Sequence, residues 1–287
     1  MKFFIKIIIL LQLFACYNKY GVVLNEEKVN IISSKPHETY KLDKFIYDKD
    51  EIPKSIIFII ADGTGIGQYT LSYYANGSFA PARFDHIGLV ATHPGHGECS
   101  TRCKRVTDSA ASGTALSAGI KTYNGAIGVD KDTISVKTML EIAEEKGMST
   151  GLVATSSVTH ATPASFAAHV DYRKKEAEIA IQYANKEIDI ILGGGKKFWP
   201  DSLIFEYEKS GAQYIDDINI KLEKNKRILG LFAEKGLPAA NQMRTPTTTE
   251  MARLALNKLD ENPNGFFVMI EESQVDWGGH ANSADYI

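Results

Sequence analysis

Ser55-Ile-Ile-Phe-Ile-Ile-Ala61 runs directly into Asp62-Gly63-Thr64-Gly65-Ile66-Gly67. The first part is a short, continuous, β-branched apolar run, the pattern of a strand buried on both faces; a half-exposed strand would alternate. Similar runs recur at Ile87–Thr92, Thr150–Ala154, Ile188–Leu192 and Phe266–Ile270. Helical spacing fills the intervals at Ile66–Ala75, Ser109–Gly119, Ser135–Lys146, Lys174–Asn185 and Thr247–Leu259. Strands alternating with helices predict an α/β fold, a mostly parallel central sheet with helices on both faces. Residues 201–245 are more polar and irregular and read as an insertion. Residues 16–54, rich in Lys, Asp and Asn, read as a linker and lead-in to a domain over 55–287.

The chain has 287 residues, 44% of them hydrophobic, enough for a full core. Its formal net charge of −3 argues against a nucleic-acid partner, which normally requires a basic excess. At the N-terminus, Lys2 and Lys6 flank an apolar stretch that reaches Cys16 but falls short of the ~20 residues needed to span a bilayer. Residues 1–15 therefore read as a secretory signal peptide. Leu13-Phe14-Ala15-Cys16 is similar to a lipoprotein cleavage box, which makes Cys16 the candidate lipidation site and membrane anchor; an ordinary signal peptide and an uncleaved anchor are the alternatives. The expected location is periplasmic or cell-envelope. Cys99 and Cys103 then remain as an even pair, a candidate disulfide in an oxidising compartment.

The chemistry-bearing residues sit at strand ends. Asp62 follows the first strand, but its glycines at 63, 65 and 67 do not fit a dinucleotide fingerprint; a carboxylate at that position suits a metal ligand. In Val106-Thr-Asp-Ser-Ala-Ala-Ser-Gly-Thr-Ala115, Asp108-Ser109 precedes a small-residue helix whose N-terminus could hold a phosphate near Ser109. Asp108 or Ser109 could equally be a helix cap. His160-Ala-Thr-Pro163 places His160 and Thr162 at the mouth of another helix, and Arg173 beyond it offers a guanidinium fork for paired phosphate oxygens, or a solvated surface charge. His169 lies in an apolar pattern and reads as structural. Phe266–Ile270 ends in Glu271 and is followed by Asp276-Trp277-Gly-Gly-His280, where the Asp-x-x-x-His spacing lets both side chains meet one zinc. Glu272 reads as solvated or as a neighbour of a ligand.

Together these segments resemble the alkaline phosphatase family, and Ile191-Leu-Gly-Gly-Gly-Lys-Lys197 is similar to a further family segment. The resemblance covers about residues 53–200 and 245–287. It implies an alkaline phosphatase-like fold and a metal-dependent hydrolysis of small phosphate monoesters, with two Zn²⁺ and one Mg²⁺ per complete subunit. It implies Ser109 as the nucleophile and as a zinc neighbour, and Arg173 as the holder of the transferring phosphate. Asp62 would bridge a zinc and the magnesium, with Thr162 and Glu271 completing the protein share of the magnesium site. Asp276 and His280 would hold the other zinc. Asp108, His160 and Trp277 would shape the phosphate pocket and the magnesium site, and a homodimer is open as a further assembly.

The family's remaining zinc ligands, an Asp-His pair and a further His, have no counterpart before Ile287. The expectation is a chain incomplete at the C-terminus and nearly inactive alone. A phosphodiesterase or sulfatase of the same superfamily, or an inactive metal-binding lipoprotein, are the alternatives; the Asp108–Ser112 context favours the monoesterase.

Overall fold

The computed structural model describes residues 53–77, 80–84, 86–95 and 106–287. The expected leader 1–15, Cys16, the lead-in up to residue 52 and the Cys99/Cys103 pair lie outside the described residues. In chain order the elements are β1 (Ile56–Ala61), α1 (Ile66–Asn76), α2 (Ser109–Ala118), α3 (Met139–Glu145), β2 (Ser149–Ser157), α4 (Ala161–Ala167) and α5 (Glu176–Ala184). There follow β3 (Ile190–Gly194), α6 (Asp201–Lys209), β4 (Ala212–Ile215), β5 (Arg227–Leu231), α7 (Thr248–Leu259), β6 (Phe266–Glu272) and α8 (Gln274–His280). Among the described residues six strands form one sheet in the order β1-β6-β2-β3-β5-β4, every neighbouring pair parallel.

Side chains alternate across this sheet, so each central strand feeds two cores. Leu152, Ile191, Phe267 and Met269 face the layer containing α2 to α6, whereas Val153, Ile190, Val268 and Ile270 face α7. Helix α7 meets them with Met251, Ala255 and Leu259, spaced four apart on one stripe and fully buried. It starts at a capping box in which Thr247 and Glu250 satisfy each other's backbone N–H groups. Helix α3 starts in the same way at Thr138 and Glu141, later than the expected Ser135, because Ser135 is bridged to Val129.

Three expectations need correction. First, β1 is an edge strand: Phe58 and Ile60 reach the core, but Ile57 and Ile59 are 47% and 68% exposed. With Ala61 they line an open cleft of about 880 Å³ beside Tyr69, Phe84 and Val275, so this continuous apolar run does not have both faces buried. Second, Ile87–Thr92 forms no strand. Ile87 and Leu89 are exposed, and Lys121 Nζ takes the carbonyls of Ala91 and His93, both at 2.6 Å, where a ladder would need a neighbouring strand. Third, residues 201–245 supply α6, β4 and β5, two of the six strands, rather than an insertion. Those strands are short and one carries Gln213, whose amide is satisfied by Lys221 O and Glu223 N. A polar residue made self-sufficient in this way breaks the apolar pattern without breaking the strand.

The parallel register places Ile60 and Ala154 on either side of Glu271. The carboxyl ends of β1, β6 and β2 therefore share one edge of the sheet, where open α/β folds build their sites. Asp62, Glu271 and the turn leading to His160 all emerge there.

Candidate active site

Asp108 has two oxygens with two duties. Oδ1 caps α2 by accepting Ala111 N at 2.9 Å and also takes Gly125 N at 3.2 Å; Oδ2 accepts from Arg173 Nη1 at 3.1 Å. The cap and the guanidinium contact coexist, and Arg173 is not a solvated charge. One residue on, Ser109 Oγ donates to Asp62 Oδ2 at 3.0 Å. The run of small residues in α2 has a packing cause. Ser117 Oγ donates to Ser165 O at 2.6 Å, and a Cβ on Gly113 would stand 2.9 Å from Ser165 Oγ. Small side chains thus let α2 lie against α4, the helix that carries Thr162.

Burial raises the Asp62 carboxyl pKa, and the neighbouring Asp276 raises it further, against the opposing hydrogen bonds from Ser109 and Gly63 N and the Arg173 charge. Glu271, fully buried on β6, is pushed up to about 7, first by desolvation and then by the Asp62 charge. The Thr162 hydroxyl lies near enough to oppose that rise, yet neither Thr162 Oγ1 nor Glu271 Oε1 has a hydrogen bond of ordinary geometry. On α8, Asp276 and His280 share a face with His280 Nε2 3.6 Å from Asp276 Oδ2; the imidazole is 81% exposed. Asp276 also backs onto the glycine after Asp62: a Cβ on Gly63, whose φ is +64°, would lie 2.4 Å from Asp276 Oδ1.

His160 occupies the N-cap position of α4 without a side-chain capping bond, and lies edge-on to Trp277 with ring centroids 6.2 Å apart. Its Nε2 is 3.2 Å from Arg173 Nη2. Burial, then the Arg173 charge, lowers the imidazole pKa to about 4. The neutral ring can therefore accept a hydrogen bond from the guanidinium at Nε2.

Among the described residues no three His, Cys, Asp or Glu side chains are gathered closely enough to hold a metal ion by themselves. The donor set of Asp62, Thr162 and Glu271 nonetheless fits a hard divalent cation: two carboxylates and a hydroxyl, with two buried oxygens lacking partners and the Asp62 charge raising the Glu271 pKa.

One supporting group escapes any local sequence pattern. Arg244, nearly buried, grips Glu272 with Nη1 and Nη2 at 3.1 and 2.9 Å, while Thr155 Oγ1 donates to Glu272 Oε1 at 2.8 Å and Thr248 Oγ1 to Oε2. Glu272 is thus a paired neighbour of Glu271, held by residues from β2, α7 and the preceding loop. Nothing in the spacing of Arg244 signals this, since its partner lies 28 residues away.

The alkaline phosphatase family model matches residues 53–286, which include every one of these groups. The chain belongs to the alkaline phosphatase family. It is 44% identical over 255 residues to alkaline phosphatase 3 of Bacillus subtilis, covering 82% of this chain and 54% of that one. It is 32% identical to the alkaline phosphatase of Escherichia coli, covering 81% of this chain and 62% of the relative. The alkaline phosphatase from the Antarctic bacterium TAB5 superposes with a TM-score of 0.73 at 36% identity, over 82% of this chain and 69% of that structure. A histidine-to-aspartate variant of the TAB5 enzyme has magnesium bound in its M3 site. The chain spans about half the length of the curated relatives it matches.

Proposed function

We propose that the chain carries the nucleophile half of a phosphate monoester hydrolase that works through a phosphoserine at Ser109. The observation that carries this reading is the juxtaposition of Asp62, Ser109, Asp108 and Arg173. With its proton directed at Asp62, the Ser109 oxygen keeps its lone pairs for attack on phosphorus. Arg173, held by Asp108 and His160, presents its guanidinium to the equatorial oxygens, and the free N–H groups of the α2 N-terminus add positive potential. Asp62, Thr162 and Glu271 would hold a magnesium ion, Asp276 and His280 one zinc, and Asp62 with Ser109 a second zinc. Bound there, the ions would supply Lewis-acid stabilisation of the attacking and leaving oxygens. Acid quenching after incubation with labelled inorganic phosphate should leave label on the Ser109 peptide. Label on any other peptide would refute the assignment.

The same reading extends to placement and maturation: export, a lipid anchor at Cys16 and a Cys99–Cys103 disulfide. Labelled palmitate should enter the wild-type chain and not Cys16→Ser. Peptide mapping without reductant should recover Cys99 and Cys103 in one species; two free thiols in exported protein would refute the bridge.

A further inference from the structure

Arg173 ends a strap, residues 168–173, that bridges at Val170 to residues 123–128 and turns toward its end. Ile127 and Val170 exchange both backbone hydrogen bonds, at 3.0 and 2.9 Å, and Arg173 N donates to Gly125 O at 2.7 Å. The contact is close: Gly128 has a φ of +57°, and a Cβ on it would stand 2.1 Å from Ala168 O. His169 sits near the start of this strap with every polar group engaged. Its backbone N donates to Gln182 Oε1 at 2.8 Å, and Gln182 Nε2 donates to its carbonyl at 2.9 Å. Its ring reaches Gly128 O through Nδ1 at 2.6 Å and Glu141 Oε1 through Nε2 at 2.8 Å.

A carbonyl oxygen can only accept, and so can an ionised carboxylate. Both ring nitrogens must therefore donate, which requires the imidazolium. The surroundings agree. Burial opposes the charge, but the bonds to Glu141 and Gly128 outweigh it and raise the His169 pKa, with Lys186 the opposing cation. Glu141 in turn belongs to the α3 capping box and is held by Lys186 Nζ at 2.5 Å. Lys137, Glu144 and Glu145 are the other charged groups lining the same recess.

We infer that His169 is a positioning residue for Arg173: a charged pin that fastens the strap to residues 124–128, to α3 and to α5, and so fixes where the guanidinium points. Apart from Arg173 itself, the strap reaches the site through Gly125, whose N–H shares Asp108 with the guanidinium. A strap released at His169 would leave only the side-chain contacts of Asp108 and His160 to hold the Arg173 guanidinium. The inference rests on Arg173 being the phosphate-holding group of the proposed function, and its test separates the two.

The test is calorimetric titration of the full chain with inorganic phosphate, and separately with magnesium. Arg173→Ala is the reference variant. His169→Ala should weaken phosphate binding about tenfold, that is by about 1.4 kcal/mol, and leave magnesium affinity unchanged. His169→Asn should recover only part of the loss, because its amide can still donate to Gly128 O but brings no charge to Glu141. Should His169→Ala not fold, Gln182→Leu, which frees the strap backbone, carries the same expectation. Unchanged phosphate affinity in His169→Ala or Gln182→Leu, with a loss in Arg173→Ala, overturns the pin alone. A parallel loss of phosphate and magnesium affinity would mean general loosening and also overturns it. No effect of Arg173→Ala removes the phosphate reading of Arg173, and the inference with it.

Discussion

Ser109 Oγ and Asp62 Oδ2 are 3.0 Å apart although 47 residues separate them in sequence. The hydrogen bond joins the end of an edge strand to the first turn of α2, and its donor is the hydroxyl that the proposed function assigns as the nucleophile. Ser109→Ala should therefore abolish labelling by phosphate and lower turnover of an aryl phosphate at least about 10³-fold, the scale seen when a nucleophile is removed. The stability cost should stay near 1 kcal/mol, that of one hydrogen bond. Residual labelling in Ser109→Ala would transfer the nucleophile role elsewhere.

The Arg244–Glu272 pair makes a different kind of prediction. Arg244 is 7% exposed and Glu272 27%, so removing the guanidinium leaves a carboxylate poorly solvated. Arg244→Met should cost about 3 kcal/mol in urea denaturation, the low end for a buried pair because Glu272 retains some water. The double variant Arg244→Met with Glu272→Gln should recover part of that loss. Equal losses in the single and double variants would mean that Arg244 acts through packing alone.

How legible such features were in sequence depends on their range. The capping box that starts α3 at Thr138 went unread in favour of Ser135, whereas the alternation of β2, β3 and β6 with helices is local and could be read directly. The burial of β1 could not, because Ile57 and Ile59 have the same residue type as the buried Ile190 and Ile191 and differ only in lying at the sheet edge. Strands β4 and β5 were hidden because they are four and five residues long and lie among polar loops. At the site, Asp62, Ser109 and Glu271 could be singled out by position at a strand end or helix start, Asp276 by its spacing to His280, and Arg173 only as a guanidinium beyond the helix that follows His160. Arg244 and the two-sided engagement of His169 are long-range facts that no local pattern encodes.

The Glu141–His169 pair should show in the pH dependence of stability. Burial alone would raise Glu141, but hydrogen bonds from His169, Lys186 and Thr138 N hold it well below its ordinary 4.5. A depressed carboxyl stabilises the fold above its unfolded pKa, and that contribution fades as pH falls below about 4.5. The raised pKa of His169 has the opposite sign: its contribution is complete below about 6.5 and fades as pH rises through the higher folded value. The difference in melting temperature between wild type and Glu141→Gln should thus be largest between about pH 4.5 and 6.5. It should fall only partly above that window, since Lys186 still holds Glu141. A difference constant from pH 4 to 9 would rule out titration of this pair.

The glycine run after β1 supplies the sharpest contrast within a few residues. Gly63 needs a left-handed φ of +64°, and a Cβ there would lie 2.4 Å from Asp276 Oδ1 and 2.7 Å from Asp276 Cα. Gly67, inside α1, has nothing within 4 Å of the corresponding position. Gly63→Ala therefore meets about 1–2 kcal/mol of backbone strain and must also displace the backbone of α8, the helix that carries Asp276 and His280. Gly67→Ala should instead stabilise the chain by up to about 1 kcal/mol through helix propensity. If the glycine serves close approach to a metal-ligand helix, Gly63→Ala should also weaken zinc binding, read by competition with a chromogenic chelator, while Gly67→Ala leaves it unchanged. Equal zinc affinity in both variants would mean that Gly63 serves only the turn, and Asp276 would lose its place among the ligands that depend on it.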